Sequence, residues 1–177
     1  QYSSNDLNRE RERISRKFRN SGLFYFDPSY VEFEADSVNT NHQVNIIYKI
    51  PDRKIRKNDT VSTEPFKIHK ISEVQIVTDY NYKNRNETIS DSTKYNGYHL
   101  YSFDKLKYFP KAITDAIAIT PGKIFKDSQR SLTYNQISDL KIFKYPKISY
   151  SEDPKDTTGT NLIANVLLTS RKKYSLG

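Results

Sequence analysis

The chain has 177 residues, 35% of them hydrophobic and 13% aromatic, with 14 Tyr and 9 Phe. Mean hydropathy is −0.82, the formal net charge is +8 and the pI is about 9.4. No Cys, Met or Trp is present, which excludes disulfides, thiolate metal sites and cysteine nucleophiles. No apolar run approaches the ~20 residues of a membrane-spanning helix. This much aromatic content argues for a folded chain whose thin cores draw on Tyr and Phe for buried area. The missing initiator Met points to a mature chain or an excised fragment. A basic surface fits nucleic acid, anionic membrane or acidic polypeptide, besides plain solubility. Lys and Arg are spread along the chain, however, and two of their denser clusters are interleaved with acids.

The chain opens with a predicted helix over residues 6–21. Asn5 or Asp6 caps it, Leu7, Ile14 and Phe18 fall near one face, and Gly22 closes it. "SYVEFEAD" and "QVNIIYKI" alternate like strands and are joined by the polar "SVNTNH", which predicts a hairpin. The second of these strands is apolar on both faces and is expected inside a sheet. Residues 52–65, charged and bounded by prolines, read as an interdomain linker. "ISEVQIVTD" is a strand. Residues 80–108 read as an insertion containing an Asn96-Gly97 hairpin turn.

Pro110 starts a helix with the apolar stripe Ala112, Ile113, Ala116 and Ile117, and Pro121-Gly122 ends it. Ile124-Phe125 is placed to plug the layer between this helix and the next. The next is capped by Asp127 or Ser128, with Leu132, Ile137 and Leu140 facing inward. "PKISYSE", the loop "DPKDTTGT" and the strongly apolar "NLIANVLLTS" complete a second hairpin.

The two halves echo one another. Leu23 and Phe26 lead to Val31 and Phe33 as Leu140 and Phe143 lead to Ile148 and Tyr150, and the Phe26–Val31 spacing equals that of Phe143–Ile148. The fold class expected is α+β, with tandem modules of order β-α-α-β-β and two helices on a three-stranded mixed sheet. The first module would be incomplete (residues 1–51), its first strand and helix lying before Gln1. The second, residues 66–177, would be complete.

That order, the Pro-Gly between the helices and "DLKIFKYPKISY" leading into the hairpin resemble a POTRA domain, the polypeptide-transport-associated module of the BamA/TamA-like outer-membrane assembly and translocation superfamily. "FRNSGLFYFDPSYVEFEAD" resembles the end of a preceding POTRA domain, and "SRKKYSLG" is similar to the segment entering the family's membrane barrel. The resemblance implies a periplasmic location at the outer membrane of a Gram-negative bacterium, tethering to a β-barrel of the same full-length chain, and accessory periplasmic or lipoprotein subunits. It also implies a docking scaffold for unfolded outer-membrane clients, with no enzymatic activity and no cofactor. Docking would proceed by β-augmentation at sheet edges. If the last strand of each module is central, the edges are Tyr30, Val31, Glu32, Phe33 and Glu34 in the first and Lys147, Ile148, Ser149, Tyr150 and Ser151 in the second. Glu32 and Glu34 lend themselves to protecting the first edge. A proline in the second, such as Ser149→Pro, is expected to weaken docking while the domain stays folded. The alternatives are a basic nucleic-acid-binding module, although none of the motifs calls for nucleic acid, and a structural spacer contacting anionic headgroups or accessory proteins.

Other chemistry is sparse. His42, His69 and His99 read as surface or loop residues without metal-ligand spacing, and the five glycines form no phosphate cradle. Asn58-Asp59-Thr60 and Asn86-Glu87-Thr88 match a glycosylation sequon. Asp36-Ser37-Val38, Asp59-Thr60-Val61, Asp91-Ser92-Thr93 and Asp156-Thr157-Thr158 resemble bacterial O-glycan acceptor tripeptides.

Overall fold

A computed structural model describes residues 3–38 and 43–172. His42, the end of the "SVNTNH" loop and most of "SRKKYSLG" lie outside the described residues. The chain divides into two units, Gln1–Ile68 and His69–Gly177.

The first unit begins with α1 (Ser4–Arg19). Its cap is Ser3 rather than Asn5 or Asp6. The Ser3 hydroxyl accepts from the Asp6 N–H at 3.2 Å, and the Asp6 carboxylate accepts from the Ser3 N–H at 3.1 Å, a reciprocal capping box. The same Ser3 contacts hold the Asp6 carboxyl below its ordinary pKa. Gly22 closes the helix as expected. It sits at φ 105°, and the N–H groups of Leu23 and Gly22 reach back to the carbonyls of Phe18 and Arg19.

Phe26 is fully buried, with ring centroids 4.9 Å from Phe18 and 5.2 Å from Phe66. A short 3-10 turn (Pro28–Tyr30) then feeds β1 (Glu32–Asp36), which pairs antiparallel with β2 (Asn45–Lys49). β2 departs from its expected place inside a sheet. Among the described residues β1 is its only ladder partner, and Ile47, Tyr48 and the flanking Val44 and Ile50 are exposed. Alternation records which faces are apolar but not which neighbours cover them.

The stretch read as a linker is a second hairpin, β3 (Arg53–Lys57) with β4 (Thr60–Glu64). Asn58, at φ 52°, supplies its two-residue turn. The charge run concealed the strand signal: Ile55 is the one apolar residue of β3, and Arg53 and Lys54 precede it as Arg56 and Lys57 follow it. The Arg53 guanidinium lies 3.5 Å from the centroid of the Tyr25 ring.

The second unit contains β5 (Lys70–Val77), β6 (Asp91–Tyr95), β7 (Tyr98–Ser102), α2 (Pro110–Thr114), α3 (Ser128–Asp139), β8 (Lys147–Glu152) and β9 (Asn161–Leu167). They form one mixed sheet of order β6-β7-β5-β9-β8. β9 runs parallel to β5 and antiparallel to β8, so the last strand is central as expected. The sheet has five strands, not three. The Asn96-Gly97 turn (φ 48° and 83°) makes the expected hairpin, and β7 then pairs in parallel with β5. Asp79 anchors the hairpin by accepting from the Ser102 hydroxyl at 2.8 Å and from the Phe103 N–H at 3.0 Å.

One face of the sheet is apolar and covered. Ile71, Val74, Ile76, Leu100, Leu162, Ala164 and Val166 are buried, as are Ile113, Ile117, Ile119, Phe125, Ile137 and Phe143 from the covering layer. That layer differs from expectation in three respects. α2 stops at Thr114, and the chain beyond it is irregular, with exposed Asp115 followed by buried Ala116, Ile117 and Ile119. Ala112 is exposed. On α3 the inward residues are Thr133 and Ile137, while Leu132 and Leu140 are exposed. Thr133 is selected over a leucine because its hydroxyl accepts from the Ala118 N–H at 3.0 Å, which lets a polar backbone be buried.

The Pro121-Gly122 turn does more than separate helices. Gly122, at φ 78°, donates to the Ile71 carbonyl. The Ile71 N–H returns to the Lys123 carbonyl at 2.8 Å, and the Phe125 N–H reaches the His69 carbonyl at 2.9 Å. The turn thus lays residues 122–125 beside the start of β5 and drives Phe125 into the core, edge-on to Tyr150 at 5.1 Å. Ile124, the other half of the expected plug, is exposed.

Candidate peptide-docking edge

β8 is the outer strand of its sheet, and among the described residues β9 is its only ladder partner. Its orientation follows from one hydrogen bond. The Asp153 N–H donates to the Asn161 carbonyl at 3.0 Å, which fixes the alternation of the ladder. The backbone groups of Lys147, Ser149 and Ser151 therefore turn toward β9, and those of the residues between them turn away from it. Side chains alternate as well. Ile148 and Tyr150 are half-buried on the helix-covered face, whereas Lys147, Ser149 and Ser151 are exposed. Buried Pro146 stands just before the strand and no proline interrupts it.

A groove of about 690 Å³ runs beside this edge. One wall is α3, through Arg130, Ser131, Tyr134 and Asn135. The other is β8 and its approach, Pro146 to Ser149, and Leu167 of β9 also lines it. The wall is a consequence of helix geometry, since residues 130/134 and 131/135 are i,i+4 pairs on one face. Tyr134 of this wall stacks on Tyr145 at 5.5 Å with the planes 8° apart. The groove is mostly apolar, with cations at Arg130 and Lys147. Such a strand edge with a pocket alongside can take up an extended peptide, its backbone on the ladder and alternate side chains in the groove.

All five expected residues of the second edge, Lys147 to Ser151, lie on this strand. Those of the first are split. Glu32, Phe33 and Glu34 belong to β1, but Tyr30 ends the 3-10 turn and Val31 is buried. The Tyr30 hydroxyl accepts from the Lys54 N–H at 3.1 Å, and its ring meets Phe66 edge-on at 4.8 Å. Glu34 is ion-paired with Lys49 across the hairpin. The α3 wall was missed. Its signal was the clustering of Arg130, Ser131, Tyr134 and Asn135 on a face without large aliphatics.

Two histidines also differ from their reading as surface or loop residues. His69 is buried. His99 is half-buried in β7 with its Nδ1 2.9 Å from Glu73 Oε1, a pairing across β5 and β7 that no local spacing announces. Among the described residues no three His, Asp or Glu side chains are grouped to hold a metal ion, and no helix is long and apolar enough to cross a membrane.

Structural comparison gives a match over 97% of this chain to the crystal structure of BamA from Haemophilus ducreyi lacking POTRA domains 1–3, with a TM-score of 0.55 at 10% identity. The fold is the POTRA fold. The chain spans 24% of the length of that BamA chain. POTRA1–3 of the periplasmic domain of Omp85 from Anabaena aligns over 96% of this chain and 52% of its own, at 12% identity and a TM-score of 0.44. No family model and no curated protein matches the sequence. β5, α2, α3, β8 and β9 follow one another in β-α-α-β-β order apart from the β6–β7 hairpin, which lies on the side of β5 away from β9.

Proposed function

We propose that this chain is a periplasmic scaffold of an outer-membrane protein assembly or translocation machine, a non-catalytic module beside a membrane β-barrel. Its clients are unfolded or partly folded outer-membrane proteins, and it docks them by β-augmentation. Accessory periplasmic or lipoprotein subunits and the barrel are its other partners. The observation that carries this reading is the outer position of β8 together with the groove along it. A ladder edge supplies affinity independent of sequence, and alternate pockets supply a mild preference for apolar side chains. That suits clients whose strands alternate apolar and polar. Glu32 and Glu34 put charge on the β1 edge, which serves it better as a protected edge than as a docking site.

The test is an amide chemical-shift titration of the labelled chain with an unfolded outer-membrane-protein segment at physiological salt. Shifts concentrated at Lys147 to Ser151 and along the α3 wall are expected. A folded chain whose β8 amides do not move at saturating segment contradicts the docking role.

A further inference from the structure

The second unit is polarised along its strands. β5, β7 and β9 are parallel, so their C-terminal ends share one end of the sheet, and β8 enters from that end. Residues 78–90, 103–111, 139–146 and 168–172 meet there. The Tyr108 ring lies 4.9 Å from Phe143 and its hydroxyl 2.8 Å from the Ser170 hydroxyl. Arg171 Nε donates to the Phe143 carbonyl at 2.8 Å, and the Arg171 N–H to the Ile142 carbonyl at 2.9 Å. On this braced end Phe109 is 85% exposed, Tyr145 69% and Ile142 44%. Lys105, Lys107, Lys141, Lys144, Arg171 and Lys172 are all exposed at this end, against Glu87, Asp104 and Asp139. At the opposite end the loop joining β8 to β9 carries Asp153 and Asp156 against Lys155, and the segment beside the start of β5 carries Lys123 and Lys126 with Ile124 as its one large exposed apolar side chain, without exposed aromatics.

We infer that this end of the unit rests on an anionic phospholipid surface. Exposed aromatic and aliphatic groups ringed by lysine and arginine match a bilayer interface: the apolar tips enter below the headgroups while the cations remain among the phosphates. A nucleic-acid track would need the cations in line with stacking faces. Here Ile142 and Phe109 offer bulk rather than a row of platforms. The inference rests on the same placement beside a membrane as the proposed function, but uses none of the β8 residues. It sets the Pro146 end of the groove next to the lipid.

The chain has no tryptophan, so Phe109→Trp provides a single reporter. The 177-residue chain is floated with vesicles of phosphatidylethanolamine and phosphatidylglycerol at physiological salt, and with pure phosphatidylcholine vesicles for comparison. It is expected to float with the anionic vesicles and to shift the Trp emission to the blue. The triple variant Lys105→Glu, Lys141→Glu, Lys144→Glu is expected to partition at least about tenfold more weakly, each cation near an anionic surface being worth a factor of a few. Lys155→Glu is expected to change nothing. Failure of the folded chain to float, or an equal loss from Lys155→Glu, overturns the inference, as does single-stranded DNA binding that the triple variant abolishes while vesicles are ignored. Peptide binding at β8, read on the same triple variant, is expected to persist. Vesicle binding lost with peptide binding intact in the parent chain removes only the lipid contact, whereas the converse removes only the docking role.

Discussion

A proline in β8 separates docking from folding only at the correct position. Ser149 is the wrong one, because its backbone turns toward Asn165 of β9 and proline there deletes a bond the fold uses. The N–H of Ile148 points away from β9, so Ile148→Pro removes a group that only an added strand would use. The six residues of β8 offer an incoming antiparallel strand three outward-facing positions, or about six backbone bonds. Loss of one neutral bond costs about 0.5–1.5 kcal/mol, a factor of roughly 2–13 in affinity. The proline ring also holds the incoming backbone off the edge and weakens the neighbouring bonds, which brings the expected loss to tenfold or more. Affinity is read by fluorescence anisotropy of a labelled peptide of alternating apolar and polar residues, and folding by the thermal melt. Lys94→Pro on β6, the opposite edge, serves as the control and is expected to leave affinity unchanged. Unaltered peptide affinity in a folded Ile148→Pro chain would refute the β8 assignment, and so would an equal loss from Lys94→Pro.

Other consequences can be measured on the same chain. Phe125→Ala empties a fully buried site and is expected to destabilise the second unit by about 3–5 kcal/mol in denaturant unfolding; a loss under about 1 kcal/mol would mean that the site collapses freely. Gly122→Ala places a side chain in open space but at φ 78°, so only backbone strain is charged, about 1–2 kcal/mol by the same assay. The Asp156 carboxyl is held well below its ordinary pKa, first by the Thr158 hydroxyl and N–H and then by the N–H groups of Asn161 and Thr160. A depressed folded-state pKa gives stability that is complete above the ordinary carboxylate range and is lost as pH falls through the folded value. Asp156→Asn is therefore expected to lower the melting temperature at neutral pH and to shrink that difference in strong acid; an effect independent of pH contradicts the assignment.

What was legible in the sequence was local. Alternation in "ISEVQIVTD" marked β5, the strongly apolar run "NLIANVLLTS" marked β9, and Asn96-Gly97 marked its hairpin because both positions need positive φ. The β8 edge followed from placing the most apolar strand at the centre. The sheet membership of the hairpin could not be read, since the pairing of Val74 with Tyr98 and Gln75 with His99 is parallel and leaves no turn signature. Nor could the α3 wall or the buried Thr133, whose role depends on a backbone N–H that only an irregular segment leaves to be satisfied. The β3–β4 hairpin was hidden by its charge, where composition outweighed a two-residue Asn58-Asp59 turn.

The position of β9 also governs how the second unit is assembled in time. Ser72 at the start of β5 donates to the carbonyl of Leu162, 90 residues later. β5 therefore waits for nearly the whole unit before β9 exists beside it, and until then β7 is its one ladder neighbour among the described strands. Such non-local closure slows folding. Until β9 arrives, the unfinished domain presents an apolar ladder edge of its own, the same kind of surface its proposed clients bring to it.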